Sequence, residues 1–252
     1  MSRETYLSIL QYNTRKSKDQ VMASFLRDPK VLEYDIIAVQ EPWRNPHTAT
    51  THNPIAQQYH LMFPKDTREQ PARICFFISK RLDSTGWRFE DHCRDLGSLT
   101  IKAKNETEEE KEVIVYNVYN PPQVQYGEGT LPILNKALHE RTEAEKIILG
   151  DFNLHHEMWA GEHLTNPDTE AIHLITLIQD NGLGRCLPKG TITWEEGESS
   201  SCIDLVYATL GIVSRIIECR VDRELDHHSD HLPISTLLDF QTIATKGKDR
   251  WD

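Results

Sequence analysis

Ile147–Gly161 reads IILGDFNLHHEMWAG, and its first seven residues decide the fold. Ile147–Gly150 is a short apolar run of the kind that fills a buried strand. It leads directly into Asp151 and, two residues later, Asn153. An apolar strand has no need of such residues at its end. The same pattern recurs three times. LSILQYN (Leu7–Asn13) ends in Asn13, DIIAVQE (Asp35–Glu41) ends in Glu41, and VIVYNVYNPP (Val113–Pro122) carries Tyr119 and Asn120. Ligands in layered α/β folds collect at the edge where loops leave the strands. Polar strand ends repeated in this order point to one shared site.

Outward from these strands the chain alternates strands with helices. Strands are expected at Leu7–Tyr12, Asp35–Gln40, Tyr59–Phe63, Ile74–Ser79, Leu99–Lys102, Glu112–Val118, Ile147–Gly150, Thr191–Trp194, Ile203–Tyr207, Ile212–Arg220 and Leu232–Leu238. A short amphipathic helix around Val21, Phe25 and Leu26 stops near Pro29, and a second helix spans Leu131–Thr142. A third spans Thr169–Asn181, with Ala171, Ile172, Ile175 and Ile178 at helical spacing and Gly182 to stop it. Asn105–Lys111 (NETEEEK) reads as a solvated hairpin loop, since like charges this dense repel. No linker or repeat divides the chain. The simplest account is one α/β domain over residues 1–240, with two stacked sheets covered by helices. Residues 241–252 would form a polar tail that starts a linker to further protein.

Composition narrows the class. The chain has 252 residues, 38% of them hydrophobic, which is enough to bury a core. No stretch has the ~18 apolar residues of a membrane helix, and the N-terminus lacks the pattern of a signal peptide, so an intracellular protein is expected. Five cysteines, widely spaced and without a CxxC, argue against a disulfide framework or a thiolate metal site. Cys75 and Cys202, in or beside apolar runs, read as buried free thiols. A net charge of −11 excludes a surface that binds nucleic acid everywhere. It is compatible with a nuclease, because a site for a divalent cation must itself be acidic.

Later motifs complete the set. Thr193 and Trp194 precede a serine-rich loop, CIDLV (Cys202–Val206) carries Asp204, and SDHLPI (Ser229–Ile234) carries Asp230 and His231. The carboxylates Glu41, Asp151, Asp204 and Asp230 with the carboxamides Asn13 and Asn153 are hard oxygen donors, which suit Mg²⁺ or Mn²⁺ better than zinc.

With GDFN and SDH in place, the chain resembles the endonuclease/exonuclease/phosphatase superfamily from Asn13 to Ile234. Within it, QEPW (Gln40–Trp43), YNPP (Tyr119–Pro122), GDFNLHHEMWAG (Gly150–Gly161) and CIDLV are similar to the apurinic-type endonuclease domain of non-LTR (LINE-type) retrotransposons. The resemblance implies a four-layer α/β sandwich, with two stacked mixed β-sheets flanked by helices. It implies a Mg²⁺-dependent (or Mn²⁺-dependent) phosphodiesterase that nicks double-stranded DNA. The nick would leave a 3′-hydroxyl for a covalently linked reverse transcriptase, and the place of work would be the nucleus.

The resemblance also implies roles. Glu41 would be the main metal ligand with Asn13 beside it, and Asp230 would help bind metal or tether His231. Asp151, ionised near neutral pH, would orient or deprotonate the attacking water, and Asn153 would bond the phosphate or support Asp151. His231, paired to Asp204, would contact a non-bridging phosphate oxygen. Tyr119 would reach the phosphate or the leaving group, and Thr193 would either buttress the site or pair in the sheet. Arg15, Lys16 and Arg44 follow Asn13 and Glu41, and either touch flanking DNA phosphates or form ordinary surface. Trp159 and Trp43 either stack on bases or rest on the core. The adjacent pairs His155–His156 and His227–His228 point to opposite sides of an extended chain, so they read as rim histidines rather than a zinc site. The competing readings are an abasic-site repair endonuclease, a phosphatase of the same superfamily, and a catalytically decayed binding module. QEPW departs from the QETK-like context of repair members. The decayed module is disfavoured because every motif residue is present.

Overall fold

Strands with apolar residues on both faces must be covered on both sides, and this chain has several. In the computed structural model, residues 6–15, 19–43, 54–65, 70–104, 110–161 and 166–242 are described. In chain order the elements are β1 (Tyr6–Asn13), α1 (Asp19–Phe25), β2 (Ile36–Gln40), β3 (Tyr59–Met62), β4 (Ile74–Ser79), β5 (Trp87–Cys93), β6 (Leu96–Lys104) and β7 (Glu110–Tyr119). They continue with α2 (Leu131–Glu140), β8 (Glu145–Asp151), α3 (Glu157–Ala160), α4 (Ala171–Asp180), β9 (Leu183–Arg185), β10 (Trp194–Glu196) and β11 (Ser199–Ser201). Last come β12 (Asp204–Thr209), α5 (Leu210–Val213), β13 (Ile216–Val221), β14 (Ile234–Asp239) and β15 (Gln241–Thr242).

Two mixed sheets stack face to face. The first has the order β13-β14-β1-β2-β4-β3, and the second the order β15-β6-β7-β8-β12-β9 with β5 added on β6. Between them lie Leu7, Ile9, Ile36 and Ala38 from one sheet and Val113, Val115, Ile147 and Leu149 from the other. The alternate residues Leu10, Tyr12, Ile37 and Val39 face outward and are capped by Val21, Met22 and Phe25 of α1. Outward residues of the second sheet, Ile114, Tyr116 and Ile148, are capped by Leu134 and Leu138 of α2 and Leu174 and Ile178 of α4. The expected four-layer α/β sandwich is the observed one.

Several element expectations are corrected. β5 is an edge strand whose polar residues Arg88, Glu90 and Asp91 look out, so its apolar signal is weak. The single strand expected over Ile212–Arg220 divides into α5 and β13. The strand expected at Thr191–Trp194 begins only at Trp194, as the first arm of the β10–β11 hairpin. In α4 the buried stripe runs through Ala171, Leu174, Ile175, Leu177 and Ile178, while Ile172 is 55% exposed. Gln241 and Thr242, expected in the tail, pair with Lys104 and Ala103. The rest of that tail and most of the NETEEEK segment lie outside the described residues. All five cysteines are free thiols, with Cys75 and Cys202 buried.

Candidate active site

Two parallel pairs build the site edge. β1 pairs parallel with β2, setting Asn13 beside Gln40, and β7 pairs parallel with β8, setting Tyr119 beside Asp151. Parallel neighbours end at the same edge, so the polar residues at their carboxyl ends are brought together. β12 runs antiparallel to β8 and starts at Asp204, directly opposite Asp151. His231 enters in the loop just before β14, which pairs with β1.

Close backbone approach makes the Asp151 end possible. Gly150 has φ 145°, and a Cβ there would lie 1.9 Å from the carbonyl oxygen of Val118. Beyond the strand ends the backbone turns sharply. Arg15, Glu41, Asn153 and His228 all have positive φ, between 48° and 69°. Non-glycine residues pay roughly 1–2 kcal/mol for that conformation, and such strain gathers at functional sites.

Asp151 is held by three donor contacts. Its Oδ2 accepts from Asn13 Nδ2 at 2.8 Å and from Asn153 Nδ2 at 3.0 Å, while Oδ1 accepts from the Asn153 amide at 3.0 Å. Asn153 Nδ2 also donates to the Asn120 carbonyl at 2.9 Å, which ties the Asp151 loop to the end of β7. Burial first, and the Asp204 charge second, push the Asp151 carboxyl well above the usual carboxylate range. Burial thus opposes the ionised Asp151 expected near neutral pH, and an adjacent cation would favour the carboxylate.

Asp204 and His231 form a second buried unit. His231 Nδ1 donates to Asp204 Oδ2 at 2.8 Å, and its Nε2 lies 3.9 Å from Asp151 Oδ2. Burial alone would lower the imidazole pKa. The Asp204 charge and hydrogen bond, with Asp151 and Asp230 behind them, outweigh burial and lift it to about 9. Thr193 fixes the approach to this pair. Its Oγ1 accepts from the amides of Ile203 at 3.1 Å and Asp204 at 3.0 Å, and its carbonyl accepts from Leu232 at 2.7 Å. Ligand atoms of Asp151, Asp204 and His231 all lie within 4.8 Å of one another.

Glu41 is the more open member of the site, and the buried Tyr119 stands beside it. The Tyr119 hydroxyl is hydrogen-bonded to Glu41, and burial, then Glu41, then Asp151 raise the phenol pKa, so it stays protonated at neutral pH. The Arg73 guanidinium lies over the Tyr119 ring, 4.6 Å from its centroid.

Other expected residues fall elsewhere. Asp230 turns its Oδ2 to Trp194 Nε1 and to Arg15, both at 2.8 Å, and stands apart from the Asp151–Asp204–His231 group. Arg15 is half-exposed at the rim and also reaches Glu196 at 3.0 Å. Lys16 and Arg44 lie outside the described residues. Trp159 is corrected as a DNA contact. It is 2% exposed in the α2–α4 core, and its indole N–H donates to the Leu154 carbonyl at 3.0 Å, which leaves no face for a base. Trp43 packs half-buried against the α1 side of the first sheet. Three of the four paired histidines are structural fittings, and His228 is exposed. His155 meets Asp168 at 3.0 Å, His156 caps the start of α3, and His227 meets Asp28 at 3.1 Å. Tyr12 went unnoticed in the sequence, yet its hydroxyl accepts from the amides of His227 (3.1 Å) and Ser229 (3.2 Å) and so anchors the loop that carries His231. Only its place one residue before Asn13 could have signalled that.

Comparison with known proteins locates this arrangement. Residues 113–235 match a family model described as "Endonuclease-reverse transcriptase". No curated protein matches in sequence. Among solved structures, the endonuclease domain of TRAS1, a telomere-specific non-LTR retrotransposon, superposes with a TM-score of 0.73 at 15% identity, over 94% of this chain and 100% of that one. The catalytic domain of Xenopus laevis APE2 superposes with a TM-score of 0.74 at 15% identity, covering 95% of this chain and 94% of that one. An AP endonuclease from Archaeoglobus fulgidus gives 0.63 at 17% identity, over 92% of this chain and 99% of that one. The chain has the endonuclease/exonuclease/phosphatase fold. In this chain the candidate site sits where strands of both sheets end together, and its residues fit a hard divalent ion. Asp151 is buried beside Asp204, an arrangement that an adjacent cation would favour. Glu41 supplies carboxylate oxygens, which match the preference of Mg²⁺ or Mn²⁺, while Asn13 turns its Nδ2 to Asp151 and its Oδ1 to the Arg15 amide, both at 2.8 Å. Among the described residues, no helix is long and apolar enough to cross a membrane.

Proposed function

We propose that the chain is a divalent-metal-dependent DNA endonuclease that nicks one strand and leaves a 3′-hydroxyl for a reverse transcriptase to extend. The observation that carries the reading is the buried Asp151–Asp204–His231 group, with Asn13 and Asn153 locked onto Asp151. The likeness to a retrotransposon endonuclease domain, and a family description that joins endonuclease with reverse transcriptase, support DNA as the substrate. Chromosomal DNA as target would place the work in the nucleus.

Asp151 orients a water against the phosphorus and takes its proton. The two carboxamides leave its carboxylate a single orientation, which is the positioning that a general base needs. His231, protonated at neutral pH through Asp204, presents Nε2–H to a non-bridging oxygen as charge builds there. As the new P–O bond forms, the P–O3′ bond breaks. The phosphate stays on O5′ of the downstream strand, and O3′ gains a proton from the Tyr119 phenol, which solvent then replenishes. A divalent cation held by Glu41 and Asp151, with Asn13 beside them, would neutralise charge on the phosphate and leaving oxygen.

Nicking of supercoiled plasmid tests the reading. Mg²⁺ should convert it to open circle with ends that a polymerase can extend, and EDTA should abolish the conversion. Asp151→Ala should slow it by roughly 100- to 10,000-fold, the usual worth of a general base, while the variant stays folded. If folded wild-type protein cuts no DNA in Mg²⁺ or Mn²⁺, the reading fails. Release of phosphate from a phosphomonoester would then favour the phosphatase alternative.

A further inference from the structure

Arg73 lies outside every motif that marks the site, yet its contacts close a ring around it. Its carbonyl accepts from the Glu41 amide at 2.7 Å, just where Glu41 takes its left-handed turn. Its own amide donates to the Arg94 carbonyl at 2.7 Å. Its guanidinium forks onto Asp95, Nε to Oδ1 at 2.5 Å and Nη2 to Oδ2 at 2.6 Å. The Asp95 carbonyl in turn accepts from the Tyr119 amide at 2.9 Å. Tyr119, under the guanidinium plane, returns to Glu41 through its hydroxyl. The ring Glu41–Arg73–Asp95–Tyr119 thus crosses from the end of β2 in one sheet to the end of β7 in the other.

We infer that Arg73 and Asp95 are a positioning pair that holds Glu41 and Tyr119 in the arrangement needed by the divalent cation. The pair then sets cation affinity and turnover rather than DNA affinity; the kinetic part rests on the nuclease reading. Two simpler roles fit less well. As a stabiliser the pair is a poor choice, because both side chains are largely buried and a buried ion pair is often no more stabilising than apolar residues of the same size. As a phosphate contact it is also poor, because two donors of the guanidinium fork are already committed to a carboxylate. A planar fork that fixes both an orientation and a ring stack is what arginine supplies and lysine does not.

The test uses the whole chain with Arg73→Met, Arg73→Lys and the double variant Arg73→Met/Asp95→Leu. Mn²⁺ affinity is read without DNA from the electron paramagnetic resonance signal of free Mn²⁺, kcat and KM on a duplex oligonucleotide, and folding from the melting curve. Both single variants should weaken Mn²⁺ binding and lower kcat by roughly 10- to 100-fold, the usual effect of losing a residue that orients a metal ligand, with KM within about twofold. The double variant removes both partners of the fork and leaves only Arg94, about one-third exposed and 3.6 Å from Asp95 Oδ1, without its carboxylate; it should melt close to wild type and still bind Mn²⁺ weakly. Wild-type Mn²⁺ affinity in Arg73→Lys or in the folded double variant overturns the inference. So does a raised KM with kcat and Mn²⁺ affinity unchanged, which would make Arg73 a phosphate contact. Wild-type protein that binds Mn²⁺ without nicking would sink the nuclease reading alone and leave the Mn²⁺ comparison to decide the role of Arg73.

Discussion

Asp151, Asp204 and His231 are almost wholly buried, whereas Glu41, one strand end away, is only half-buried and held through a turned backbone. In the buried half, carboxylate oxygens face named donors at 2.8–3.0 Å, and ionisation is governed by the low dielectric around them. In the open half, the acid stays near water, and an ion pair between the sheets does the holding. The difference matches two tasks. Moving a proton needs groups whose pKa values have been displaced from their solution values, and burial does that. Accepting a hydrated cation needs a ligand that water can reach.

Asp204→Asn breaks the comparison most severely, because Asp204 acts on both other members of the buried half. Its charge raises the pKa of Asp151 and of His231. Activity requires Asp151 deprotonated and His231 protonated, so the pH–rate profile should be a bell whose falling limb lies near the His231 value of about 9. With the charge removed, both pKa values fall and both limbs should move to lower pH. The maximal rate should also drop by roughly 100-fold or more, since the imidazole loses its orienting partner. A profile that loses height without moving would show that Asp204 serves only in geometry.

Thr193→Ala probes the same half through its backbone, with a smaller effect. The substitution strands the buried amides of Ile203 and Asp204, each at a cost of about 1–3 kcal/mol. For a domain of this size that lowers Tm by roughly 2–4 °C per kcal/mol. Turnover should fall by roughly tenfold as Asp204 loses its fixed entry to β12, and Thr193→Ser should restore both. Melting that falls while turnover holds would confine Thr193 to a sheet-pairing role.

The motif residues and the ion pair that holds them differed in how legible they were. Asp151, Glu41, Asn13 and Tyr119 were readable because each breaks an apolar run at its end, and a strand's own pattern makes such a break visible. What brings them together is register. Asn13 stands beside Gln40, and Tyr119 beside Asp151, only because two separate pairs are parallel. Arg73 and Asp95 carried no local signal, since an ion pair across 22 residues exists only once β4, β6 and β7 have assembled. Trp159 was undecidable for a related reason. Whether a large aromatic faces a ligand or a core depends on what α2 and α4 bring against it, and here they close over it. α5 was missed because its 4 residues are too few to show a period, and β5 because its sequence WRFEDHC is mostly polar.

Arg15→Ala has the smallest expected effect and bears on the rim between the halves. The side chain is half-exposed and already bridges Asp230 and Glu196. As a latch it would add little, because partly exposed ion pairs contribute about 0–1 kcal/mol. As a phosphate contact it would exchange those carboxylates for the duplex and release about one counterion's worth of salt dependence. DNA affinity should then fall evenly across sequences, and the slope of log affinity against log salt should shrink by about one. Turnover at saturating DNA should stay within about twofold. An unchanged slope, with melting slightly lowered, would assign Arg15 to the latch and leave the electrostatic hold on DNA to other residues of the chain.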